Sequence, residues 1–153
     1  MGVMLVYIEY ALKILAAGLS GAIIGWEREL KEKGAGLRTH ILIAIGACLF
    51  SLIALNLKHD FPDGDILRLL HSMLLAVGFI GGGVIFTRRG SVQGLTTAAG
   101  LWVLTAVGMA IGLGYYFLGV FVTIISIFII AWMKRCEDSI HRDKESENES
   151  KDV

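Results

Sequence analysis

Apolar positions along the chain fall into five long runs separated by short polar segments, and this pattern predicts five membrane-spanning helices. The predicted spans cover residues 5–25, 37–57, 66–86, 92–110 and 116–133. From Gly90 to Met133 there are 44 consecutive residues without a formal charge. As one helix they would extend about 66 Å, twice the ~30 Å core of a bilayer, so they are predicted to cross twice. The break is expected at residues 112–116, where two glycines precede two tyrosines.

Composition supports an all-α integral membrane protein with one compact, glycine-rich bundle. Of the 153 residues, 55% are hydrophobic and only 18% are charged. Soluble domains are less apolar and carry more charge. Twelve of the last twenty residues are Asp, Glu, Lys or Arg. Residues 1–133 are therefore predicted to form the transmembrane helical domain. Residues 134–153 are predicted to form a cytoplasmic tail that is largely disordered after its first turn or two.

Lysine and arginine placement predicts the orientation in the membrane. The connection between spans one and two, that between spans three and four, and the tail together hold eleven Lys and Arg residues, whereas the opposite side holds two. Basic residues concentrate on the cytoplasmic side of membrane proteins. The N-terminus is therefore expected outside and the C-terminus inside.

Glycines spaced four apart predict where helices pack closely, because small residues let helix backbones approach in lipid. Four of the six positions from 78 to 83 are glycine, and a short basic turn leads from there into residues 94–102. We expect spans three and four to be antiparallel neighbours at the centre of the fold. Helix packing is favoured over a glycine-lined ion path. The predicted packing residues are Gly21, Gly25, Gly78, Gly81, Gly82, Gly83, Gly108 and Gly112.

Polar residues on the predicted cytoplasmic side form a candidate functional cluster, since polar groups at this depth should face protein or water. The planar guanidinium group of Arg38 is expected to pair with the carboxylate of Glu27. The alternative is that the Arg38 side chain extends to the lipid headgroups. Thr39 is a candidate helix cap, and a buried hydrogen bond is favoured over metal binding for His40. The set comprises Glu27, Arg28, Glu29, Arg38, Thr39, His40, Arg88, Thr96 and Thr97. For the two glutamates, the bare pattern favours a solvated helix end over an acidic pair that docks a partner or contacts a cation.

Charged residues near the outer side are Glu9, Lys13 and Arg68. Glu9 and Lys13 are one helical turn apart and are expected to pair with each other, with a pairing to Arg68 as the alternative. The outer loop holds Asp63 among its acidic residues, and a solvated turn is favoured there over a cation site.

Motifs for catalysis are missing from the sequence. There is no nucleophile–base pairing, phosphate-binding loop or metal-ligand spacing, so neither an enzyme, a cofactor nor a metal site is predicted. The basic residues lie beside membrane spans rather than along a soluble face, which argues against nucleic acid as a partner.

Four blocks of sequence resemble the MgtC/SapB family of bacterial membrane proteins. They are Gly25-Trp26-Glu27-Arg28-Glu29, Gly36-Leu37-Arg38-Thr39-His40, Gly78-Phe79-Ile80-Gly81-Gly82-Gly83-Val84-Ile85 and Gly94-Leu95-Thr96-Thr97-Ala98-Ala99-Gly100-Leu101-Trp102, in the family's order. The resemblance covers roughly residues 11–112. Many members carry a soluble C-terminal domain, where this sequence has a charged tail of twenty residues.

The resemblance implies a multi-pass protein of the bacterial plasma (inner) membrane, linked to growth at low magnesium and, in pathogens, to survival inside host cells. It implies action through other membrane proteins, including the ATP synthase, rather than Mg²⁺ transport. We therefore expect a non-enzymatic regulator or adaptor in magnesium homeostasis, embedded in the lipid bilayer. The alternatives are a small Mg²⁺ or other cation transporter and, more weakly, a structural homo-oligomer built on the glycine faces.

Overall fold

The computed structural model describes residues 2–61, 65–88 and 90–149, and in this part the chain forms five helices and a two-stranded sheet. The helices are α1 (Gly2–Leu30), α2 (Leu37–Asp60), α3 (Ile66–Gly83), α4 (Leu95–Gly112) and α5 (Tyr116–Glu149), and the strands are β1 (Phe86–Arg88) and β2 (Ser91–Gln93). The predicted all-α class is confirmed. Asp63 and Arg89 lie outside the described residues.

Three of these helices contain segments long and apolar enough to cross a membrane, namely Met4–Leu30, Leu37–His59 and Leu95–Gly112. The apolar segments of the other two, Leu67–Gly83 and Tyr116–Trp132, are shorter. They lie at the lower limit of the ~17–25 residues found in membrane-spanning helices. The lengths of the apolar segments are therefore those of membrane-spanning helices, and the segments in α3 and α5 are at the short end of the range.

The connection between α3 and α4 differs from the prediction, which extended span three to Phe86 and began span four at Val92. Both residues lie in an antiparallel hairpin, in which Phe86 pairs with Gln93 and Thr87 pairs with Val92. Helix α3 ends earlier because its last residues are glycines, which disfavour helix. The N–H of Val84 donates to the carbonyl of Gly81 at 3.3 Å, which tightens the last turn.

Helix α1 is followed by a residue in the left-handed conformation, Glu32 (φ 50°). The N–H of Glu32 donates to the carbonyl of Glu29 at 3.0 Å, and that of Lys33 to the carbonyl of Arg28 at 3.1 Å. This is the Schellman arrangement, which satisfies carbonyls left free at the helix end. As a result, Lys33 is held beside the last turn of α1.

The predicted break between spans four and five is confirmed. Helix α4 ends at Gly112 and α5 begins at Tyr116. Gly114 adopts the left-handed conformation (φ 94°), and the N–H of Tyr115 donates to the carbonyl of Ala110 at 2.8 Å. This is again a Schellman arrangement, with glycine at the position that suits it best.

Beyond residue 133, α5 continues as a helix to Glu149, and the largely disordered character of the tail stays a prediction. The sequence from 120 to 149 contains neither glycine nor proline. Lysine, arginine and glutamate, which dominate the tail, are good helix formers, so nothing local ends the helix.

Helices α1, α2 and α4 supply the hydrophobic core. Its buried members are Ala17 and Ile24 from α1, Ala44, Cys48 and Leu52 from α2, and Leu104, Val107 and Ile111 from α4. Helix α5 packs partly buried side chains against this cluster, including Val122, Ile127 and Ile130. Among the described residues, α3 contributes none to this core cluster. Met73 and Val77 of α3 are buried, but they lie outside the cluster.

Two of the predicted glycine pairs lie at close helix contacts. A Cβ on Gly21 would be 2.6 Å from the backbone oxygen of His40, and one on Gly25 would be 2.8 Å from the Cα of Leu37. Further along α2, a Cβ on Gly108 would be 2.5 Å from the backbone oxygen of Ala44. A Cβ on Gly112 would be 2.7 Å from the backbone oxygen of Cys48. Helix α2 thus packs closely against α1 at Gly21 and Gly25 and against α4 at Gly108 and Gly112.

The prediction of close packing at the glycine run of α3 is wrong within this chain. A Cβ on Gly78, Gly82 or Gly83 would meet nothing within 4 Å. Only Gly81 faces a neighbour, the Cβ of Ala98, at an ordinary contact distance of 3.6 Å. Helices α3 and α4 are neighbours, as expected, but their glycines are not what brings them together.

Candidate functional site

The end of α1 and the start of α2 are joined by a carboxylate cap. The backbone N–H of Leu37 donates to Oε2 of Glu29 at 2.8 Å, whereas Gly36, at the N-cap position, has no side chain to offer. A Cβ on Gly36 would overlap the Glu29 carboxylate. A negative charge at a helix N-terminus is favourable. Glu29 therefore caps α2, the role that the sequence analysis gave to Thr39, which is half-buried and makes no side-chain hydrogen bond in the described structure.

His40 is buried at the contact between α1 and α2, with 1% of its surface exposed. Its Nδ1 donates to the carbonyl of Gly36 at 2.8 Å. A Cβ on Gly25 would lie 2.9 Å from the Cβ of His40, so the imidazole side of α2 packs on the α1 backbone. This is the buried hydrogen bond favoured by the sequence analysis.

Arg28 and Thr97 connect α1 to α4 across 69 positions of sequence. Nη2 of Arg28 donates to Oγ1 of Thr97, and the two residues are 5% and 3% exposed. The Nε of Arg28 has no hydrogen-bond partner in the part of the chain that the structure describes. A buried guanidinium nitrogen without an acceptor is costly, which distinguishes Arg28 from the buried hydroxyl groups that are bonded within their own helices.

Glu27 pairs with Lys31, one turn later in α1, and not with Arg38 as predicted. The Glu27 side chain is 14% exposed, and within the described residues no hydrogen bond of normal geometry reaches either of its oxygens. Arg38 is exposed. The reason for the difference is local: residues four apart on a helix are neighbours, whereas Arg38 begins a separate helix.

A cavity of about 510 Å³ lies between the end of α1, the start of α4 and one face of α5. Its polar lining comprises Glu27, Arg28, Lys31, Lys33, Thr96 and Thr97, and its apolar lining Val92, Leu95, Ile129 and Ile130. Four residues of the predicted polar cluster thus share one cavity. Lys31 and Lys33 were missed by sequence reasoning, although the spacing of Lys31 from Glu27 was a usable signal.

Other members of the predicted cluster are not brought into this cavity. Arg88 is exposed on β1, and Arg38 and His40 do not line the cavity. Glu29 and His40 instead belong to the α1–α2 contact. Six of the nine predicted residues thus form two groups, one at the α1–α2 contact and one that lines the cavity, whereas Arg38, Thr39 and Arg88 belong to neither.

At the other end of α1, Lys13 and Glu9 pair with each other at 2.7 Å, as expected. Lys13 is 6% exposed and also lies 5.9 Å from the centre of the Tyr116 ring. Arg68 is exposed at the start of α3, where its backbone N–H donates to Oδ1 of Asp65 at 3.1 Å. No ion pair joins Arg68 to Glu9 among the described residues.

Known proteins match the chain over most of its length. It is 38% identical over 130 residues to YhiD of Escherichia coli (strain K12), which is named as a candidate magnesium transporter; the match covers 80% of this chain and 59% of YhiD. It is 39% identical over 136 residues to SapB of Bacillus subtilis (strain 168), covering 83% of this chain and 59% of SapB. No solved structure matches the chain.

Relatives from Salmonella match a shorter stretch. The chain is 41% identical over 107 residues to MgtC of Salmonella typhimurium (strain LT2), covering 70% of this chain and 45% of that protein. The chain thus spans about half the length of the curated relatives it matches. The family model described as MgtC family matches residues 14–139. The chain therefore belongs to the MgtC family.

Proposed function

We propose that this protein is a non-enzymatic regulator or adaptor in bacterial magnesium homeostasis, which acts by binding other membrane proteins. Its homologues support a magnesium-related role. The proposed setting is the bacterial plasma (inner) membrane, crossed five times with the N-terminus outside and the C-terminus in the cytoplasm. In this orientation the cavity and the α1–α2 contact lie at the cytoplasmic end of the bundle.

The observation that carries the proposal is the contrast between close helix packing around α2 and a polar cavity at one end of the bundle. The backbone contacts of Gly21 and Gly108 leave no room for a side chain at these positions between α2 and its neighbours. Buried hydroxyls within the helices donate to carbonyls four residues earlier in the same helix: Ser20 to Ala16, Ser51 to Ala47, Thr105 to Leu101 and Thr123 to Gly119. These groups are satisfied locally, which supports binding at the end of the bundle over conduction through it.

The partners proposed are other membrane proteins, among which the family resemblance implies the ATP synthase. A second function, transport of Mg²⁺ or another cation, is favoured by the name of YhiD. Reconstitution of the protein into sealed liposomes that enclose a Mg²⁺ indicator distinguishes the adaptor function from the transport function. We expect no uptake above protein-free liposomes. Saturable uptake that Glu9→Ala abolishes would instead favour the transporter.

Residue substitutions test the adaptor function in cells. Arg28 donates to a fixed hydroxyl on another helix, and lysine retains the charge but loses the planar fork. We expect Arg28→Lys to impair low-magnesium growth of a deletion strain at normal protein level. The matched control is Arg38→Lys, which changes an exposed arginine at the same end of the bundle and should complement fully.

Crosslinking in the same strains should report loss of a membrane-protein partner in Arg28→Lys and retention of it in Arg38→Lys. Normal growth and normal crosslinking of Arg28→Lys would contradict the proposal. The same gels also report whether two copies of this chain associate.

A further inference from the structure

The first turn of α4 has backbone N–H groups without an acceptor in the helix. Gly94, at the N-cap position, adopts φ +90° and offers no side-chain cap. The first N–H that is bonded within the helix belongs to Ala98, which donates to the carbonyl of Gly94 at 2.9 Å. The N–H groups of Leu95, Thr96 and Thr97 precede it, and these residues line the cavity. A helix end of this kind attracts anions.

A second, independent feature points into the same cavity. Arg28 is 95% buried, since 5% of its surface is exposed, and it lines the cavity. One of its nitrogens bonds Thr97, whereas its Nε lacks a partner among the described residues. A guanidinium group presents five donors in a fixed fork that matches the oxygens of phosphate or carboxylate. An anionic oxygen in the cavity would therefore meet a guanidinium group that makes no ion pair among the described residues.

The charges that line the cavity favour an anion over a cation. Glu27 is the one acidic residue of the lining, and it is paired with Lys31. The other two charged residues of the lining, Arg28 and Lys33, are both positive. Lys33 is held near the cavity because its backbone N–H donates to the carbonyl of Arg28 at the end of α1. Glu29, the next carboxylate along α1, is committed to the N-terminus of α2.

The shape of the cavity distinguishes a lone small anion from an anionic group on a larger molecule. Its volume of about 510 Å³ is far more than a single phosphate needs. One wall is apolar and includes Ile129 and Ile130 of α5, opposite the polar end of α1. We propose that the cavity is a binding site for a phosphate group, with the headgroup of a membrane phospholipid as the favoured carrier and soluble phosphate as the other source.

This inference rests on the proposed function only in assigning the cavity to the cytoplasmic leaflet. Phosphate binding is measured on the purified, full-length chain in detergent, where orientation has no influence. Failure of the cell-growth tests would leave the site intact, and failure to bind phosphate would leave the adaptor function intact.

The test compares two lipids that differ in their phosphate. Native mass spectrometry measures the retention of dioleoyl phosphatidylglycerol and of dioleoylglycerol, which lacks the phosphate group. Thermal stability with inorganic phosphate, against the same concentration of chloride, is the second arm. The variants are Arg28→Gln and Lys33→Ala, and the matched control is Arg38→Gln, which changes an exposed arginine that does not line the cavity.

We expect the wild-type protein to retain phosphatidylglycerol at least tenfold more tightly than dioleoylglycerol. Loss of a charge-assisted bond predicts that Arg28→Gln weakens retention about tenfold. Lys33→Ala changes an exposed side chain and should weaken it about two- to fivefold, so the site remains testable if Arg28→Gln does not fold. Arg38→Gln should bind as the wild type does.

The two arms also identify the carrier. Phosphatidylglycerol binding without stabilisation by inorganic phosphate assigns the site to a lipid headgroup. Stabilisation by inorganic phosphate that Lys33→Ala weakens assigns it to soluble phosphate. Equal retention of the two lipids with no effect of inorganic phosphate would overturn the proposal, as would equal losses in Lys33→Ala and Arg38→Gln.

Discussion

Two groups of glycines with the same four-residue spacing have different roles in this protein. Gly21 and Gly25 of α1, and Gly108 and Gly112 of α4, lie against the backbone of α2. Gly78 and Gly82 of α3 repeat that spacing, yet a side chain added at either would meet nothing within 4 Å. The spacing shows that a helix can be approached closely, but not that a neighbour lies on that side. The tight core therefore consists of α1, α2 and α4, with α3 outside it.

The largest expected effect separates the two groups directly. Gly21→Leu places a side chain where its first carbon would lie 2.6 Å from the backbone oxygen of His40. Backbone cannot give way cheaply, so we expect a loss of about 3 kcal/mol or more and little folded protein in the membrane. Gly82→Leu is the matched change on α3, and it should accumulate and melt as the wild type does. Equal loss of both proteins would show that the α3 face also packs tightly, against something outside this chain.

A smaller and cleaner contrast lies within α4. Gly108→Ala adds a methyl group 2.5 Å from the backbone oxygen of Ala44, whereas Gly100→Ala adds one where nothing lies within 4 Å. Both changes gain up to ~1 kcal/mol of helix propensity, so their difference isolates packing. We expect Gly108→Ala to lower thermal stability in detergent by about 1–3 kcal/mol and Gly100→Ala to raise it slightly. A stabilised Gly108→Ala protein would mean that α2 and α4 can move apart at little cost.

The cap on α2 should contribute less than the glycine contacts. Glu29→Ala removes the acceptor of the Leu37 N–H, and we expect a loss of about 1 kcal/mol, measured by thermal or denaturant unfolding. Glu32→Ala is the control, because it removes a nearby exposed carboxylate that makes no side-chain bond in the described structure. If the two variants lose equal stability, the general charge of this turn matters and the cap does not.

The smallest effect is expected at the one glycine of α3 that faces a neighbour. Gly81→Ala would bring its methyl group to 3.6 Å from the Cβ of Ala98, an ordinary contact. Alanine is also the better helix former, so the variant should be about 0.5–1 kcal/mol more stable than the wild type. A clear destabilisation would show that α3 and α4 are closer in the membrane than this structure has them.

Local sequence was sufficient for features that depend on neighbours in the chain. The break at residues 112–116 follows from a glycine that accepts the left-handed conformation, and Gly114 does so. The pairing of Lys13 with Glu9 follows from their spacing of one turn. The same spacing predicts the observed pair of Glu27 with Lys31, in preference to a pair of Glu27 with the more distant Arg38.

The sequence by itself determined five helices, the break between the last two, the family and the polar character of one end of the bundle. Only the tertiary structure decided which face of each helix meets another, because the four-residue glycine spacing is identical on packed and open faces. It alone joined Arg28 to Thr97, which are 69 positions apart, and brought Lys33 beside the same cavity. Helix periodicity fixes how side chains are spaced around one axis, whereas the rotation of each helix against its neighbours depends on the packing of the whole bundle.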